Sequence, residues 1–365
     1  MMKTPRETGA CAMAAIILTD LRKDFLAKEK EPGLLGSMKA AFAPHYRKVE
    51  AVRGISFSVD QGEVLAFIGP NGAGKSTTIK MLTGILYPSG GDATVLGLRP
   101  WVDRQRLAFQ IGSVFGQKSQ LWYHLPAADT FDLLARVYEL PTAEYRQRRD
   151  RMVDLFDIGE FLKTPVRKLS LGQRMRCEIA ASLLHRPSVL FLDEPTIGLD
   201  VVAKQQIRDL IRAMNREEGV TVFLTSHDAG DIERLCKRVI IINHGQVVMD
   251  AGVNTLRHNY LHNKVIDLKL AAPVADDYAF PLAGVTVVKA RGYGLKLEVD
   301  TAVAPMERVL GLVVEGLRVA DIAITDPPVE SIIKTIYEQG VPAELREDAA
   351  PEAGWTESAT GDALC

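Results

Sequence analysis

Short apolar runs alternate with amphipathic patterns of helical period along residues 16–252. The clearest runs are short, apolar and rich in β-branched side chains; they cover residues 64–68, 189–192, 220–225 and 239–242. Residues 118–186 have mostly helical patterning, and the amphipathic face is clearest at 130–138. Strands that alternate with helices pair in parallel, so the pattern predicts an α/β fold with a mostly parallel sheet core and a helical lobe.

Two features precede these strands. The apolar run 13–18 has Asp20 soon after it and lacks a small-residue cleavage site, which predicts a first strand rather than a signal peptide. A polar insertion marked by glycine and proline follows at about residues 28–48, and residues 33–42 within it have the pattern of a short amphipathic helix. The first domain is thus predicted over residues 1–254.

The patterning changes after about residue 255. Strand-like runs occur at 265–270, 284–289, 295–299 and 319–324, and helical patterns occur at 307–317 and 329–338. These elements predict a small accessory α+β domain over residues 255–340. The remaining residues, 341–365, are acidic and rich in proline and alanine, a composition typical of a disordered tail.

Composition narrows the possible functions. The 365 residues are 47% hydrophobic with a formal net charge of −2, so no overall basic field favours nucleic acid as a partner. No apolar run approaches the roughly 20 residues that span a bilayer. The four cysteines, Cys11, Cys177, Cys236 and Cys365, are far apart, which favours reduced thiols in the cytosol over a disulfide or zinc framework.

The first chemical motif is a glycine-rich loop between a predicted strand and a predicted helix. Its sequence is G-x-x-x-x-G-K-S, and its glycines allow backbone N–H groups to surround a phosphate. Lys75 would add a positive charge, and the Ser76 hydroxyl would bind Mg²⁺. The predicted nucleotide contacts are Gly69, Pro70, Asn71, Gly72, Ala73, Gly74, Lys75, Ser76 and Thr77.

The second motif is a pair of carboxylates at the end of the apolar run 189–192. A buried strand would deliver Asp193 and Glu194 to the carboxyl edge of the sheet, where open α/β sheets bind ligands. We expect Asp193 to hold Mg²⁺, directly or through water. Glu194 is the expected general base for the attacking water.

A third motif gives the family resemblance. Leu169-Ser170-Leu171-Gly172-Gln173 resembles the L-S-G-G-Q signature loop of ATP-binding-cassette (ABC) ATPases, with Leu171 in place of one glycine. Further family motifs follow in order and spacing: Gln117 matches the Q-loop glutamine, Gly198-Leu199-Asp200 matches the D-loop, and His227 matches the switch histidine. The resemblance covers roughly residues 14–252. It implies that Gln117 touches the metal or water and that His227 bonds the γ-phosphate.

The resemblance also implies a partner at the active site. Cassettes of this family pack head-to-tail, so that each ATP lies between the Lys75 loop of one copy and Ser170, Gly172 and Gln173 of the other. The chain has one set of motifs, so the expected assembly is a homodimer, or a pair with a similar cassette. Family members also stack adenine on an aromatic residue, and both Phe25 and Tyr46 fit that position, with Tyr46 slightly favoured.

The resemblance extends to ATP-binding subunits of bacterial ABC-2-type exporters, which act with separate membrane permeases at the cytoplasmic face. Trp122 and Tyr123 follow Gln117 where such subunits receive the permease, although both could instead cap the core of the helical lobe. The alternative is a soluble ATPase acting on ribosomes or DNA. Those enzymes carry two cassettes in one chain or a long coiled coil, whereas only about fifty residues separate Gln117 from Ser170 here.

Overall fold

The computed structural model describes residues 14–28, 46–116, 118–226, 228–259, 263–325, 332–333 and 336–337. The chain divides into two compact units between Val253 and Asn254. Within the described residues, no helix is both long enough and apolar enough to cross a membrane.

The first unit contains nine strands and seven helices that are described. The strands are β1 (Ala14–Lys28), β2 (Tyr46–Asp60), β3 (Val64–Ile68), β4 (Gly90–Val95), β5 (Ile111–Phe115), β6 (Val189–Asp193), β7 (Thr221–Thr225), β8 (Arg238–Asn243) and β9 (Gln246–Gly252). The helices are α1 (Lys75–Leu82), α2 (Arg104–Ala108), α3 (Ala127–Val137), α4 (Thr142–Leu155), α5 (Leu171–Ser182), α6 (Val201–Glu218) and α7 (Ala229–Leu235).

A six-stranded sheet forms the centre of this unit, in the order β5-β6-β7-β3-β8-β9. All neighbours pair in parallel except β8 and β9, which confirms the predicted mostly parallel sheet. β7 lies between β3 and β6, so the carboxyl ends of these three strands meet at one edge of the sheet. The glycine-rich loop follows β3 and the acid pair follows β6, which brings both motifs to that edge.

A second sheet, in the order β2-β1-β4, is antiparallel. β1 and β2 pair from Ala14 and Asp60 at one end to Lys28 and Tyr46 at the other, so β1 extends well beyond the predicted first strand at 13–18. Most of the predicted insertion, including its helix at 33–42, lies outside the described residues.

Aromatic and aliphatic side chains fill the space beside the central sheet. Phe57, Phe67, Phe191 and Phe223 come from four strands, and the Phe67 and Phe223 rings have centroids 5.2 Å apart. α1 contributes buried Ile79, Met81 and Leu82 to the same cluster. This packing fixes the start of α1, and therefore the glycine-rich loop, relative to the sheet.

The predicted helical lobe at 118–186 contains α3, α4, a short 3₁₀ turn at Val166–Lys168, and α5. Pro126 and Pro141 directly precede α3 and α4, where the missing proline N–H costs no helical hydrogen bond. α5 begins at Leu171 with Ser170 as its N-cap.

The elements that the structure describes in the second unit include the strands β10 (Asn263–Val274), β11 (Val285–Asp300) and β12 (Val319–Thr325) and the helix α9 (Met306–Gly316), while α8 (Val253–Asn259) begins at the division. The strands form an antiparallel sheet in the order β11-β10-β12. Val309 and Val313 of α9 pack against Ile266 and Leu268 of β10, which gives an α+β unit.

The predicted strands 284–289 and 295–299 fall within the single strand β11. The two ends of β11 nevertheless lie side by side, because the Asp300 N–H donates to the Gly284 carbonyl at 2.8 Å. The chain therefore reverses within β11, and Gly292, with φ of 56°, lies at its middle. The predicted helix at 329–338 is described only at 332–333 and 336–337, which are helical; the predicted tail lies outside the described residues.

Candidate functional site

The glycine-rich loop is held against β2 and β8 by two close backbone approaches. A Cβ on Gly69 would lie 2.2 Å from the Ile242 carbonyl oxygen, and one on Gly74 would lie 2.6 Å from the Ala51 carbonyl oxygen. Gly74 also has φ of 111°, a conformation that other residues rarely adopt. Glycine at these two positions lets the chain turn directly into α1, whose N-terminus favours a bound anion.

Lys75 lies at the bottom of this loop and is only 5% exposed. Its Nζ donates to the Gly69 carbonyl at 2.6 Å, so the ammonium is held inside the curve of the loop. Burial lowers the pKa of Lys75, while the negative charges of Glu194 and Asp193 oppose that shift. A buried cation beside a ring of backbone amides suits a polyphosphate ligand.

Asp193 joins three elements at the edge of the sheet. It ends β6, and its Oδ1 accepts a hydrogen bond from the Ser76 hydroxyl at 3.2 Å and from the Thr225 hydroxyl at 2.6 Å. Sequence reasoning missed Thr225, although it ends the predicted strand 220–225 just before His227. Because Thr225 is fully buried, its hydroxyl fixes the orientation of the Asp193 carboxylate.

Glu194 has a backbone conformation that is uncommon for a residue with a side chain, with φ of 56°. Its N–H donates to the carbonyl and the hydroxyl of Thr225 at 3.0 and 3.1 Å, which holds the turn in place. Strained residues persist where surrounding contacts fix them, and they cluster at functional sites. The turn ends β6 and places Glu194 on the wall of the cavity beside the glycine-rich loop.

This cavity has a volume of about 570 Å³. It brings together most of the predicted phosphate and acid residues: Pro70, Asn71, Gly72, Ala73, Gly74, Lys75, Ser76, Thr77, Asp193 and Glu194. Lys80 and Lys118 also line it and were not predicted. With Lys75, they add positive charge around a space that suits a triphosphate.

The same residues fit Mg²⁺. Ser76 and Asp193 place a hydroxyl and a carboxylate next to each other, and hard oxygen donors are the ligands that Mg²⁺ prefers. Mg²⁺ usually keeps waters and substrate phosphates as its other ligands, so two protein oxygens beside the glycine-rich loop are enough to form a Mg²⁺ site with a bound triphosphate. Gln117, the third predicted ligand, lies outside the described residues.

His227 also lies outside the described residues, but its two neighbours are tightly held. The Asp228 N–H donates to the Ser226 hydroxyl at 2.9 Å, and that hydroxyl donates to Asp231 at 2.5 Å. Asp231 is fully buried and also accepts from Arg208 Nε of α6 at 2.6 Å. The loop that carries His227 is therefore fixed to the helix that follows the Gly198-Leu199-Asp200 segment.

The signature residues are organised around the start of α5. The Ser170 hydroxyl accepts from the Gln173 N–H at 3.2 Å, and the Gln173 side chain accepts from the Ser170 N–H at 2.9 Å. This capping box stabilises the first turn of the helix. A Cβ on Gly198 would lie 3.1 Å from Leu171, so the leucine that replaces a family glycine lies close to the Gly198 backbone. None of the three predicted signature contacts, Ser170, Gly172 and Gln173, lines the cavity.

The two candidates for the adenine contact, Phe25 and Tyr46, lie on the paired strands β1 and β2. Phe25 pairs with Val49, two residues from Ala51, whereas Tyr46 is five residues from Ala51. Ala51 lies against Gly74 of the glycine-rich loop. At the usual rise per residue of a strand, Tyr46 is about 16 Å from Ala51, and Val49, the partner of Phe25, is about 7 Å from it. Neither side chain lines the cavity, so the adenine contact stays a prediction for both residues.

Comparison with known proteins agrees with this site. The ABC transporter family matches residues 52–197. An uncharacterised ABC transporter ATP-binding protein of Nostoc sp. is 34% identical over 215 residues, which are 58% of this chain and 62% of that protein's length. The daunorubicin/doxorubicin resistance ATP-binding protein DrrA of Streptomyces peucetius is 35% identical over 229 residues, which are 62% of this chain and 67% of DrrA.

A solved structure has the same fold. CbiO1 from Clostridium perfringens, described as part of the ABC transporter complex CbiONQ, is 28% identical and has a TM-score of 0.53. The match covers 66% of this chain and 88% of CbiO1. The glycine cradle, the acid pair and the capped signature helix therefore have a common explanation: the chain belongs to the ABC transporter family and carries its ATP-binding ATPase cassette.

Proposed function

We propose that this ATPase powers export through separate ABC-2-type permease subunits at the cytoplasmic face of a membrane. The observation that carries the proposal is the exposed aromatic pair beside the ATP site. Trp122 and Tyr123 are 50% and 56% exposed, which supports a surface role over the alternative that they cap the core of the helical lobe. Exposed neighbouring aromatics are typical of residues that anchor protein interfaces.

The position of this pair supports the same conclusion. Lys118 lines the cavity, and only three residues separate it from Trp122. The backbone of the pair is also fixed, because the Arg167 N–H donates to the Tyr123 carbonyl at 2.9 Å and the Trp122 N–H donates to the Thr130 hydroxyl at 3.4 Å. A permease segment on this surface would therefore be close to the ATP and linked to the helical lobe.

The name of one relative supports export. DrrA is named for daunorubicin and doxorubicin resistance. The present chain would hold ATP with the glycine-rich loop, and Ser76, Asp193 and Gln117 would hold Mg²⁺. Glu194 would take a proton from the attacking water, and His227 would bond the γ-phosphate.

A second copy would complete each site. The cavity is lined by the glycine-rich loop and the acids, whereas the signature residues at the start of α5 lie away from it. The Ser170 end of α5 is a helix N-terminus, which favours a bound anion. Two copies packed head-to-tail would bring this end to the γ-phosphate of the other copy's ATP, and a dimer would contain two equivalent sites.

Purification from native membranes tests the proposal. The tagged chain is extracted in detergent, and the proteins bound to it are identified by mass spectrometry, with Trp122→Ala as the matched variant. We expect a polytopic permease with the parent chain, less of it with the variant, and ATPase activity that responds to the permease. Recovery of ribosomes or DNA in place of a permease would contradict the proposal.

A further inference from the structure

The signature helix α5 carries a buried carboxylate that has no part in the site described above. Glu178 is eight residues from Ser170, just over two helical turns, and only 4% exposed. Its carboxylate accepts hydrogen bonds from the Ser119 hydroxyl and, at 3.1 Å, from the Gln120 N–H. A buried carboxylate is costly unless donors satisfy it, so these contacts hold the two segments together.

Further hydrogen bonds strengthen this connection. The Gln120 side chain donates to the Glu178 backbone carbonyl at 3.0 Å, and the Leu121 N–H donates to the Ser119 hydroxyl at 3.1 Å. Leu121 is itself buried. Three consecutive residues, 119–121, are therefore fixed to the middle of α5 by side-chain and backbone contacts.

The segment 119–121 lies between two functional regions. Lys118, directly before it, lines the nucleotide cavity, and Trp122, directly after it, begins the exposed aromatic pair. The helix to which the segment is fixed begins at Ser170. The Glu178 carboxylate thus connects one wall of the ATP cavity, the proposed permease surface and the signature residues.

We propose that Glu178 is a positioning residue for ATP hydrolysis, which acts by fixing residues 119–121 to the signature helix. A movement of the cavity wall at Lys118 then also moves Ser170. A permease bound at Trp122 would likewise affect the positions of Lys118 and Ser170. Glu178 does not touch the nucleotide in this arrangement. The inference rests on the proposed function in one respect, namely that Ser170 acts on the ATP of a second copy.

Substitutions on both sides of the contact test this role in the full-length chain. Ser119→Ala removes the donor, and Ser119→Thr keeps a hydroxyl and is the matched control. Glu178→Gln keeps the shape but replaces one of the two accepting carboxylate oxygens with an NH₂ group, which donates and cannot accept. For Glu178→Gln and Ser119→Ala we expect kcat to fall about fivefold or more, because misplaced active-site groups lose rate steeply, while KM and Kd for ATP stay within about twofold.

A double variant and a stability control separate positioning from simple destabilisation. Glu178→Gln with Ser119→Ala should be little worse than Glu178→Gln alone, because both changes act on the same contact between Ser119 and Glu178. Val59→Ala, in the buried core of the antiparallel sheet, should lower the melting temperature but keep kcat. Ser119→Thr should keep most of the parental kcat.

The proposal is overturned if folded Ser119→Ala and Glu178→Gln keep the parental kcat, or if kcat falls only in proportion to folded protein, as in Val59→Ala. If Glu178→Gln does not fold, the comparison of Ser119→Ala with Ser119→Thr decides by itself. All these rates are measured without a permease. A missing permease would therefore contradict the export proposal and leave the role of Glu178 standing. A bound permease with unaltered kcat in the variants would support export and contradict the role of Glu178.

Discussion

The Ser76 hydroxyl donates to the Asp193 carboxylate at 3.2 Å, although the two residues are 117 positions apart in the chain. The contact exists because β3 and β6 both flank β7, so the residues that follow them meet at the carboxyl edge of the sheet. It joins the phosphate cradle to the acid pair and defines where Mg²⁺ would bind.

The Thr225 hydroxyl should strengthen the affinity for Mg²⁺ although it is not a predicted ligand. Thr225→Val removes the 2.6 Å hydrogen bond that orients Asp193 and keeps the buried shape. Loss of such an orienting partner typically weakens metal affinity by roughly 10- to 100-fold, so the Mg²⁺ concentration for half-maximal ATPase activity should rise accordingly. Titration of ATPase activity with Mg²⁺ measures this shift. Thr225→Ser is the control, and an unchanged midpoint in Thr225→Val would contradict the assigned role of Asp193.

Lys75 should determine the affinity for ATP. Lys75→Ala removes the buried ammonium beside the Gly69 carbonyl, and Lys75→Met removes the charge but keeps most of the side-chain volume. A hydrogen bond to a charged group contributes about 1.5–3 kcal/mol, so both variants should bind ATP roughly tenfold or more weakly. Calorimetry or a fluorescent nucleotide gives the Kd directly. Parental affinity in Lys75→Met would show that the charge has no role in binding.

Trp122 should be needed for coupling but not for basal chemistry. Its side chain is half exposed and does not line the nucleotide cavity, so Trp122→Ala should keep basal ATP hydrolysis within about twofold. Binding of the permease and stimulation of hydrolysis should both fall. Val288→Ala, at an exposed apolar side chain of the second unit, is a surface control. Full permease binding and full stimulation in Trp122→Ala would remove the proposed docking surface.

His185 should make the stability of the cassette depend on pH. Its ring stacks on Tyr138 with centroids 3.8 Å apart, its Nε2 lies 2.9 Å from the Ile111 carbonyl, and its Nδ1 has no hydrogen-bond partner. Burial lowers the pKa of His185 from 6.5 to about 4. A second proton would lie on Nδ1 with no acceptor, so the folded protein favours the neutral ring.

The direction of the pH dependence of stability follows from which state of the chain binds the proton. Between pH 6.5 and about 4 the unfolded chain is protonated at His185 and the folded chain is not, so stability falls as pH falls through this range. The loss is on the order of 3 kcal/mol, and the full contribution is present above pH 6.5. Urea unfolding at pH 7.5 and 5 should give a smaller difference for His185→Phe than for the parent. Equal differences would exclude His185 as the cause.

The sequence predicted the central sheet well because its strands are buried on both faces. Val64–Ile68 has the predicted bounds, and Val189–Asp193 differs by one residue, since a continuous apolar run leaves little choice of structure. The glycine-rich loop could be predicted equally well, because close backbone contacts such as that of Gly74 with Ala51 require its glycines.

Other features depended on contacts that no local pattern shows. The outer ends of β1 and β2, at Lys28 and residues 46–48, fall within the predicted polar insertion. Lys48 pairs with Asp24 of the neighbouring strand at 2.9 Å and with Glu50 of its own strand at 3.4 Å, and opposite charges across paired strands favour the pairing. The roles of Thr225 and Glu178 likewise follow only from long-range hydrogen bonds, to Asp193 and Ser119 respectively.

The most direct test is the mass of the Glu194→Gln variant in solution with ATP and Mg²⁺. This substitution removes the proposed base and keeps the phosphate contacts, so ATP should remain bound and hold two copies together. Light scattering during gel filtration should give twice the 40.1 kDa of one chain with ATP, and one chain without it or with Lys75→Ala added. A chain that binds ATP and stays at 40.1 kDa throughout, while the parent hydrolyses ATP at the same concentration, would contradict a site completed by a second copy.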